Sequence, residues 1–578
     1  MERPVQVGDF ALVGGELFKI TAITPGHIEI NSLINPNHRE EVIYIDNRWK
    51  IKNTDVEPKF LAEVYLTFVP EIDINILAHL GKEILDILCS SNDYMASLCQ
   101  NESLWRAAVK EQYPDLLQGK EPDETWRDFY YIIPKLFNRI GRLDLVKLLE
   151  YGRLNLLKQK DLTKVEKYYL ESYGANKAAE YGHTEILDWL FSKGIYPDHE
   201  GAQLAAENGH TETVIWIHEK GKVRPTQIEL TNALFGGYFD IVKYLWSIDP
   251  TLYYNPNIAA AEGRLDILDW MENEIRLPYK VDSSGADMAA AKGRTDVLDL
   301  LAKRGIYPTI LGIYEAAENG HFNVLKWARP PVPPPDQELA NMVLRSGKDS
   351  IGILDWLKNR GALPDYKGMN AAIEHAKTLE IAYKILEWGA RQNPPIFPDQ
   401  YGADRAAWRG WTDLLELIYQ KTRILPSVTG ANLAAGSPNA VETLNWIEKK
   451  TNFEVYPDEE GAIYAAENGR TDALEWITEG KDRIAPTEER LVTLDEEVAD
   501  AAAINGQVDT LDWLAERDTY SSEEVLDGVI KRNHLNVLKW LKNHGYDITP
   551  AYSTVEWAFS NGYLDLLEWL DTEVGITD

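Results

Sequence analysis

The sequence predicts a mainly α-helical protein: a solenoid of helical hairpins, preceded by a small β-barrel and a short helical domain. Three observations predict it. Apolar residues alternate with a period near two over residues 1–58, the texture turns helical over 59–135, and one unit then recurs from 136 to 578. At 578 residues the chain exceeds one ordinary core, so several domains or an array are required. Hydrophobic residues at 44% and charged residues at 26% describe a globular chain.

The first segment carries "ELFKITAI", "HIEINSL", "EVIYI" and "RWKI". Turn signals at Gly14-Gly15, Pro25-Gly26, Asn35-Pro36-Asn37 and Asp46-Asn47 divide them. Four or five short strands follow, enough for a small barrel or a curled sheet, similar to an SH3-like or Tudor-like barrel. Phe10, Phe18, Tyr44 and Trp49 could form an aromatic cage, although core packing explains them more simply.

The second segment contains "VPEIDINILAHLGKEILDILCSSNDYMASLCQNESLWRAAVKEQYP", from Val69 to Pro114. Ile72, Ile76, Leu77 and Leu80 set one apolar pattern, Ile84, Leu85, Ile87 and Leu88 another, and Leu104-Trp105-Arg106 lies in a third. This string resembles an F-box, which opens on Leu-Pro-x-Glu and closes on a Leu-Trp-Arg helix. Pro70, Glu71, Leu104, Trp105 and Arg106 match those landmarks, while Val69 replaces the opening Leu and the middle is short. The resemblance implies docking to a Skp-type linker subunit of a cullin ubiquitin ligase through Pro70, Ile72, Leu77, Leu80, Leu104 and Trp105, some of which must instead pack the segment's own core. Trp126, Phe129 and Tyr130 are expected to complete the domain.

The third segment repeats. Anchors at Leu148, Trp189, Trp216, Tyr244, Trp270, Leu300, Trp327, Trp356, Trp388, Leu417, Trp446, Trp476, Trp513, Trp540 and Trp569 mark about fifteen units. Most spacings are 26 to 32 residues; 41 residues separate Leu148 from Trp189, and 37 separate Trp476 from Trp513. In "HEGAQLAAENGHTETVIWIHEKG" the alanines favour a first helix that a neighbour can approach closely. Asn208-Gly209 ends that helix in a left-handed turn, and Thr211 is the expected cap of a second helix. Val214, Ile215, Trp216 and Ile217 form its expected buried stripe. An acidic or amide residue three places after the turn glycine, as at Glu212, Asp266 and Asp472, offsets the helix dipole. Connectors such as "GIYPD" supply a proline-set turn.

The unit resembles ankyrin repeats, though it is shorter than 33 residues and lacks the Thr-Pro-Leu-His motif. Strings such as "AAENGHFNVLKWA" look more like the short ankyrin-type repeats of giant DNA viruses, where an F-box-like segment often precedes them. The resemblance implies an intracellular adaptor in the host cytoplasm or nucleus.

Catalytic readings are weak. The residue after the turn glycine is His183, His210, His321 and His534 in four units, but Arg264, Tyr238 or Gln507 elsewhere, and an imidazole base is not interchangeable with these. "GKDS" at Gly347–Ser350 lacks the upstream glycine of a phosphate-binding loop. No cofactor or metal is expected. "RPPVPPP" at Arg329–Pro335 reads as a stiff linker, with a ligand for SH3 or WW domains as the alternative. Lys and Arg number 59 against 92 Asp and Glu, a net charge of −33, which argues against a nucleic-acid partner. No apolar run is long enough to cross a membrane. Two cysteines, Cys89 and Cys99, are too few for a disulfide framework and fit a reducing compartment.

The expected function is therefore non-enzymatic. Fifteen hairpins at about 10 Å each would span on the order of 150 Å, a long face for gripping a target protein. An F-box-like segment would dock the linker subunit. In the alternative, the chain is a pure interaction scaffold and that segment only caps the array.

Overall fold

A computed structural model describes the backbone of residues 10–13, 16–24, 27–32, 39–45, 48–51 and 59–61, and then residues 74, 77–90, 93–138, 141–278, 280–452, 454–480 and 492–576. The chain forms two compact units, Met1–Asp161 and Leu162–Asp578. The first repeat anchor, Leu148, thus belongs with the N-terminal unit.

The N-terminal unit begins with β1 (Phe10–Val13), β2 (Glu16–Thr24), β3 (His27–Ser32), β4 (Arg39–Ile45), β5 (Arg48–Ile51) and β6 (Lys59–Leu61). They pair antiparallel in the order β5-β4-β3-β2-β1-β6, with a register shift between Ile20 and Ala22. Two corrections follow. No ladder joins β5 to β6 among the described residues, so the expected closed barrel is replaced by a sheet with two edges. Residues 59–61, expected to open the helical segment, pair with β1 instead. The side chains of Phe10, Phe18, Tyr44 and Trp49, and with them the aromatic cage, lie outside what is described.

Helices Lys82–Cys89, Asp93–Cys99, Glu102–Gln112 and Trp126–Ile132 follow, and the pair Leu145–Glu150 and Leu154–Gln159 completes the unit. The Asn101 side chain caps the third of them by accepting from Ser103 N. Leu77, Leu85, Leu98, Leu104, Trp105, Phe129 and Tyr130 share one core with Leu148. As expected, Phe129 and Tyr130 pack there, with Trp126 half-buried beside them. Cys89 and Cys99 are bonded to each other, at a Cα–Cα distance of 5.7 Å. That pairing removes the cysteine argument for a reducing compartment.

The second unit is a helical-hairpin array of fourteen pairs, from Gly174–Glu180 with Thr184–Phe191 to Tyr552–Ser560 with Leu564–Val574. In the pair His199–Glu207 and Thr211–Glu219, Ala202, Ala205 and Ala206 are fully buried. Gly209 turns the chain at φ 79°. Small size matters there as well, because a Cβ on Gly182 would lie 2.5 Å from the His210 ring and one on Gly209 2.4 Å from the Tyr238 ring. At most turns the post-glycine side chain therefore covers the turn of the preceding pair, a role that His, Tyr and Arg fill alike. Thr211 is not the cap: His210 takes that position without a side-chain hydrogen bond, and Thr211 is the first helical residue.

Two recurring ties join one pair to the next. The first is a staple at the N-terminus of each first helix. Asn176 accepts from Asp198 N at 3.0 Å and donates to Asp198 Oδ1 at 2.9 Å. Asn257 with Asp282, Asn370 with Asp399 and Asn432 with Asp458 do the same. Where the tying residue is Asp287, Asp404 or Asp500, the cap changes to Thr309, Ser427 or Ser522, whose hydroxyl donates to it. Amide faces carboxylate or carboxylate faces hydroxyl, so these pairs never oppose two anions. A glycine lets the tie approach: a Cβ on Gly201 would meet Asn176 Oδ1 at 2.6 Å.

The second tie is a rung between second helices. Trp216 Nε1 donates to Asp188 at 2.8 Å, Trp388 to Asp355 at 2.8 Å, Trp446 to Glu416 at 2.9 Å and Trp540 to Asp512 at 2.7 Å. The acceptor always stands one residue before the anchor of the preceding pair. The tryptophans are buried or half-buried, so the core expectation holds for the ring but omits the polar end.

The array does not run out as an open arc. The 41-residue gap between the first two anchors holds an extra helix, Lys164–Ser172, which packs on both the first pair and the last helix, Leu564–Val574. Tyr168 and Tyr173 each donate to Glu556 at 2.8 Å, Thr163 donates to Glu568 at 2.9 Å, and the Tyr168 ring lies 4.5 Å from that of Phe559. The second unit thus closes on itself, and the expected arc becomes a circumference on the order of 140 Å. First helices pack along their length through alanine, whereas second helices meet more sparsely. In a closed array the more tightly spaced layer lies at smaller radius, so the first helices form the inner wall.

The staple predicts that Asn432→Asp, which sets a second carboxylate against Asp458, destabilises the protein by about 1–3 kcal/mol in urea unfolding. Adding Asp458→Ser should restore most of the loss by recreating the Asp404–Ser427 pairing. For the clasp, burial pushes the Glu556 carboxyl up, but the hydroxyls of Tyr168, Tyr173 and Tyr552 more than offset this and hold it below the ordinary Glu range. Its contribution is therefore present above pH about 4.3 and lost as pH falls through the depressed folded value. Glu556→Ala should speed amide hydrogen exchange of helix Lys164–Ser172 at pH 7, and acid should do the same to the wild type.

Candidate functional site

Of the six residues expected to dock a linker subunit, Pro70 and Ile72 lie outside the described residues. Leu77, Leu104 and Trp105 are 0% exposed, and Leu80 is half-buried against the same core. Trp105 Nε1 donates to the Cys99 carbonyl at 2.8 Å, and its ring lies 5.5 Å from those of Tyr130 and Tyr131. Leu77, Leu104 and Trp105 hold their own domain together and offer no open face, a correction to the expected docking surface. Periodicity marked them as apolar, but an apolar stripe looks the same in sequence whether it faces a core or a partner.

The histidines follow the scaffold reading. Burial holds the imidazoles of His210 and His321 below the ordinary value, as their positions over Gly182 and Gly293 require. His218 is different. It lies between the Val223 carbonyl at 2.7 Å and the Glu229 carboxylate at 2.6 Å, so both ring nitrogens donate. Burial lowers its pKa, and Glu229 more than reverses that. The pair fastens the loop between helices Thr211–Glu219 and Gln227–Gly236.

A different set of side chains stands open on the first-helix layer. Helix Gln400–Trp408 buries Gly402, Ala403, Asp404, Ala406 and Ala407. Tyr401, Arg405 and Trp408, four and then three residues apart, fall on the opposite face. Tyr401 is 45% exposed and Trp408 43%. The Arg405 guanidinium lies 4.7 Å from the Tyr401 ring and 5.8 Å from the Trp408 ring, and Arg409 lies 5.4 Å from Trp408. Glu374, from helix Tyr366–His375, accepts from the Tyr401 hydroxyl at 3.1 Å and pairs with Arg405 at 3.4 Å. Arg409 donates to the Glu374 carbonyl at 2.6 Å. The arrangement is thus braced across two repeats and pre-ordered. Elsewhere the exposed positions of this layer are commonly acidic, as at Glu200, Glu207, Glu460 and Glu497. In sequence the departure is visible as "QYGADRAAWRGW", where this repeat carries Tyr, Arg and Trp in place of Glu and Asn.

No family model and no curated protein matches the chain, so the F-box, ankyrin and giant-virus likenesses stay resemblances. Among solved structures, the chain is similar to the pentatricopeptide repeat protein PPR10 from maize, at 13% identity over 88% of this chain and 84% of that one, with a TM-score of 0.29. PPR10 in complex with an 18-nt psaJ RNA element aligns at 13% identity over 88% of this chain and 94% of that one, with a TM-score of 0.28. A score this low does not establish a shared fold, and the architecture rests on the helix pairs, staples and clasp. A net charge of −33 does not by itself exclude a nucleic-acid partner, since a local basic patch can bind phosphate, so that expectation is corrected; PPR10, for its part, has RNA bound. No helix among the described residues is long and apolar enough to cross a membrane.

Burial separates the two groups of residues energetically. Trp105→Ala should cost on the order of 3–5 kcal/mol. Trp408→Ala should change stability by less than about 1 kcal/mol, as an exposed position does, and Arg405→Ala by about 1 kcal/mol through the lost pairing with Glu374. Thermal unfolding of the full chain measures both.

Proposed function

We propose that the chain is a non-enzymatic protein-interaction scaffold whose closed array presents a binding face centred on Tyr401, Arg405, Trp408 and Arg409. The observation that carries this reading is the exposure of Trp and Tyr rings held by guanidinium groups on a braced helix. Trp, Tyr and Arg dominate the energetics of protein interfaces, and a side chain already ordered loses little entropy on binding. A partner would enter from the inner side of the array.

The finer adaptor reading, docking of a Skp-type linker subunit through the F-box-like segment, has less support, since its most specific landmark, Leu104-Trp105, is spent on the core. We favour the scaffold in which that segment packs on the helices of residues 145–159. The segment is not needed to cap the fourteen-pair array, whose first pair is already covered by helix Lys164–Ser172.

Affinity capture of the full chain from cell lysate, followed by mass spectrometry, tests the proposal. Proteins retained by the wild type should fall at least tenfold with the Arg405→Ala/Trp408→Ala double variant; an unchanged set overturns the assignment of the face. In parallel, purified linker subunit should not bind the full chain. Binding abolished by Leu80→Asp would restore the adaptor reading.

A further inference from the structure

The rungs between second helices vary in composition, and one of them carries the donors of the fullest kind without its carboxylate. In a complete rung a single carboxylate receives two donors: the anchor indole N–H and the cation four residues after it. Asp188 accepts from Trp216 Nε1 at 2.8 Å and from Lys220 Nζ at 2.6 Å. Glu416 accepts from Trp446 Nε1 at 2.9 Å and from Lys450 Nζ at 3.1 Å. At Trp356 both donors are present, for Arg360 stands four residues on with its guanidinium 3.9 Å from the indole centroid. The acceptor position, however, is Lys326. Neither Lys326 nor Arg360 has an anionic partner among the described residues, and Trp356 Nε1 has no acceptor there.

At the two other rungs with lysine at the acceptor position, Lys243 and Lys539, the residue four after the next anchor is acidic, Glu274 or Glu573, and Glu573 pairs with Lys542. Only the Trp356 rung sets lysine against arginine.

Space accompanies the missing charge. Second helix Phe322–Trp327 is three residues shorter than Thr211–Glu219, because Pro330 and the prolines after it cannot continue a helix. The shortened end leaves a cavity of about 580 Å³ under the Arg329–Pro335 segment. Lys326, Trp356 and Arg360 line it together with Leu325, Val332 and Leu339. The segment read as a stiff linker is thus the roof of a cleft, and Val332 is tucked beneath it at 6% exposure.

We propose that this cleft binds an acidic peptide, with a partner carboxylate taking the place that Asp188 and Glu416 hold in the complete rungs and a neighbouring apolar side chain entering beside Leu325 and Leu339. Three donors converge on the carboxylate: Lys326 Nζ, Trp356 Nε1–H and the Arg360 guanidinium. Charge-assisted bonds of this kind are the stronger class, and the surrounding apolar wall strengthens them further. The site is separate from the Tyr401–Arg409 face and does not depend on it.

The test uses the full chain and two fluorescein-labelled peptides, Gly-Leu-Asp-Leu-Gly and its amide counterpart Gly-Leu-Asn-Leu-Gly, read by fluorescence anisotropy. The acidic peptide should bind at least tenfold more tightly than the amide one. Lys326→Glu supplies the missing carboxylate from within, so it should weaken acidic-peptide binding at least tenfold while raising or leaving unchanged the melting temperature. Arg360→Gln should weaken binding severalfold, and Arg405→Ala should not alter it. Equal affinity for the two peptides, or binding that survives both Lys326→Glu and Arg360→Gln, overturns the proposal. Loss of binding in Arg405→Ala alone would assign the peptide to the other face and overturn it equally.

Discussion

Each repeat is tied to the next at the N-terminus of its first helix, and the array depends on that tie. A helix start leaves backbone N–H groups without partners. Asp198 satisfies two of them, and the same Asp198 is held by Asn176 of the preceding pair. The cap therefore orients a helix and sets its register against its neighbour at once. Gly201 belongs to the same device, since a side chain there would push Asn176 away. The rungs add a second tie at larger radius. With one tie on the inner layer and one on the outer, the angle between successive pairs is constrained from two sides, and constant angles accumulate until the ends meet.

Closure changes what the protein can present. An open solenoid has two ends that need polar caps and a face reached from one side. This array covers its first end with helix Lys164–Ser172 and its last helix, using tyrosine hydroxyls on Glu556. The inner layer then becomes an enclosed wall that exposes acidic side chains and apolar ones such as Phe235, Leu311 and Tyr552, and on it Tyr401–Arg409 is a cluster of rings and guanidinium groups. The outer layer carries the tryptophans, whose indole N–H groups are spoken for in most rungs. Departures from the repeat are thus where function is to be sought. Tyr, Arg and Trp replace the usual residues in one first helix, and lysine replaces a carboxylate in one rung.

Much of this was legible in the residues alone. Helix texture, the turn at Asn208-Gly209, the period and the structural role of the post-glycine column all follow from local chemistry: alanine favours helix, and only glycine takes φ near +79° cheaply. The staple was also written there, as Asn or Asp in one unit and a matching Asp, Ser or Thr some 22 to 29 residues later, but a pairing rule needs to be known before it can be read. The docking face assigned to Leu77, Leu104 and Trp105 failed for a different reason. Periodicity reports that a stripe is apolar, not what covers it, and here the cover is Phe129, Tyr130 and Leu148 from later in the chain.

By itself, then, the sequence determined the helical pair, its length and its turn, because these rest on contacts within about 30 residues. It set the start of the array at residue 136, whereas Leu148 folds with the N-terminal unit. Only the tertiary structure decided that the array closes, which layer is inner, that Cys89 and Cys99 are joined, and which exposed residues share a face. Ring closure is the sum of many small angles between neighbouring pairs, and no single unit encodes it. The contact of Tyr168 with Glu556 spans 388 residues, and at that separation nothing but the accumulated geometry of the repeats brings the two together.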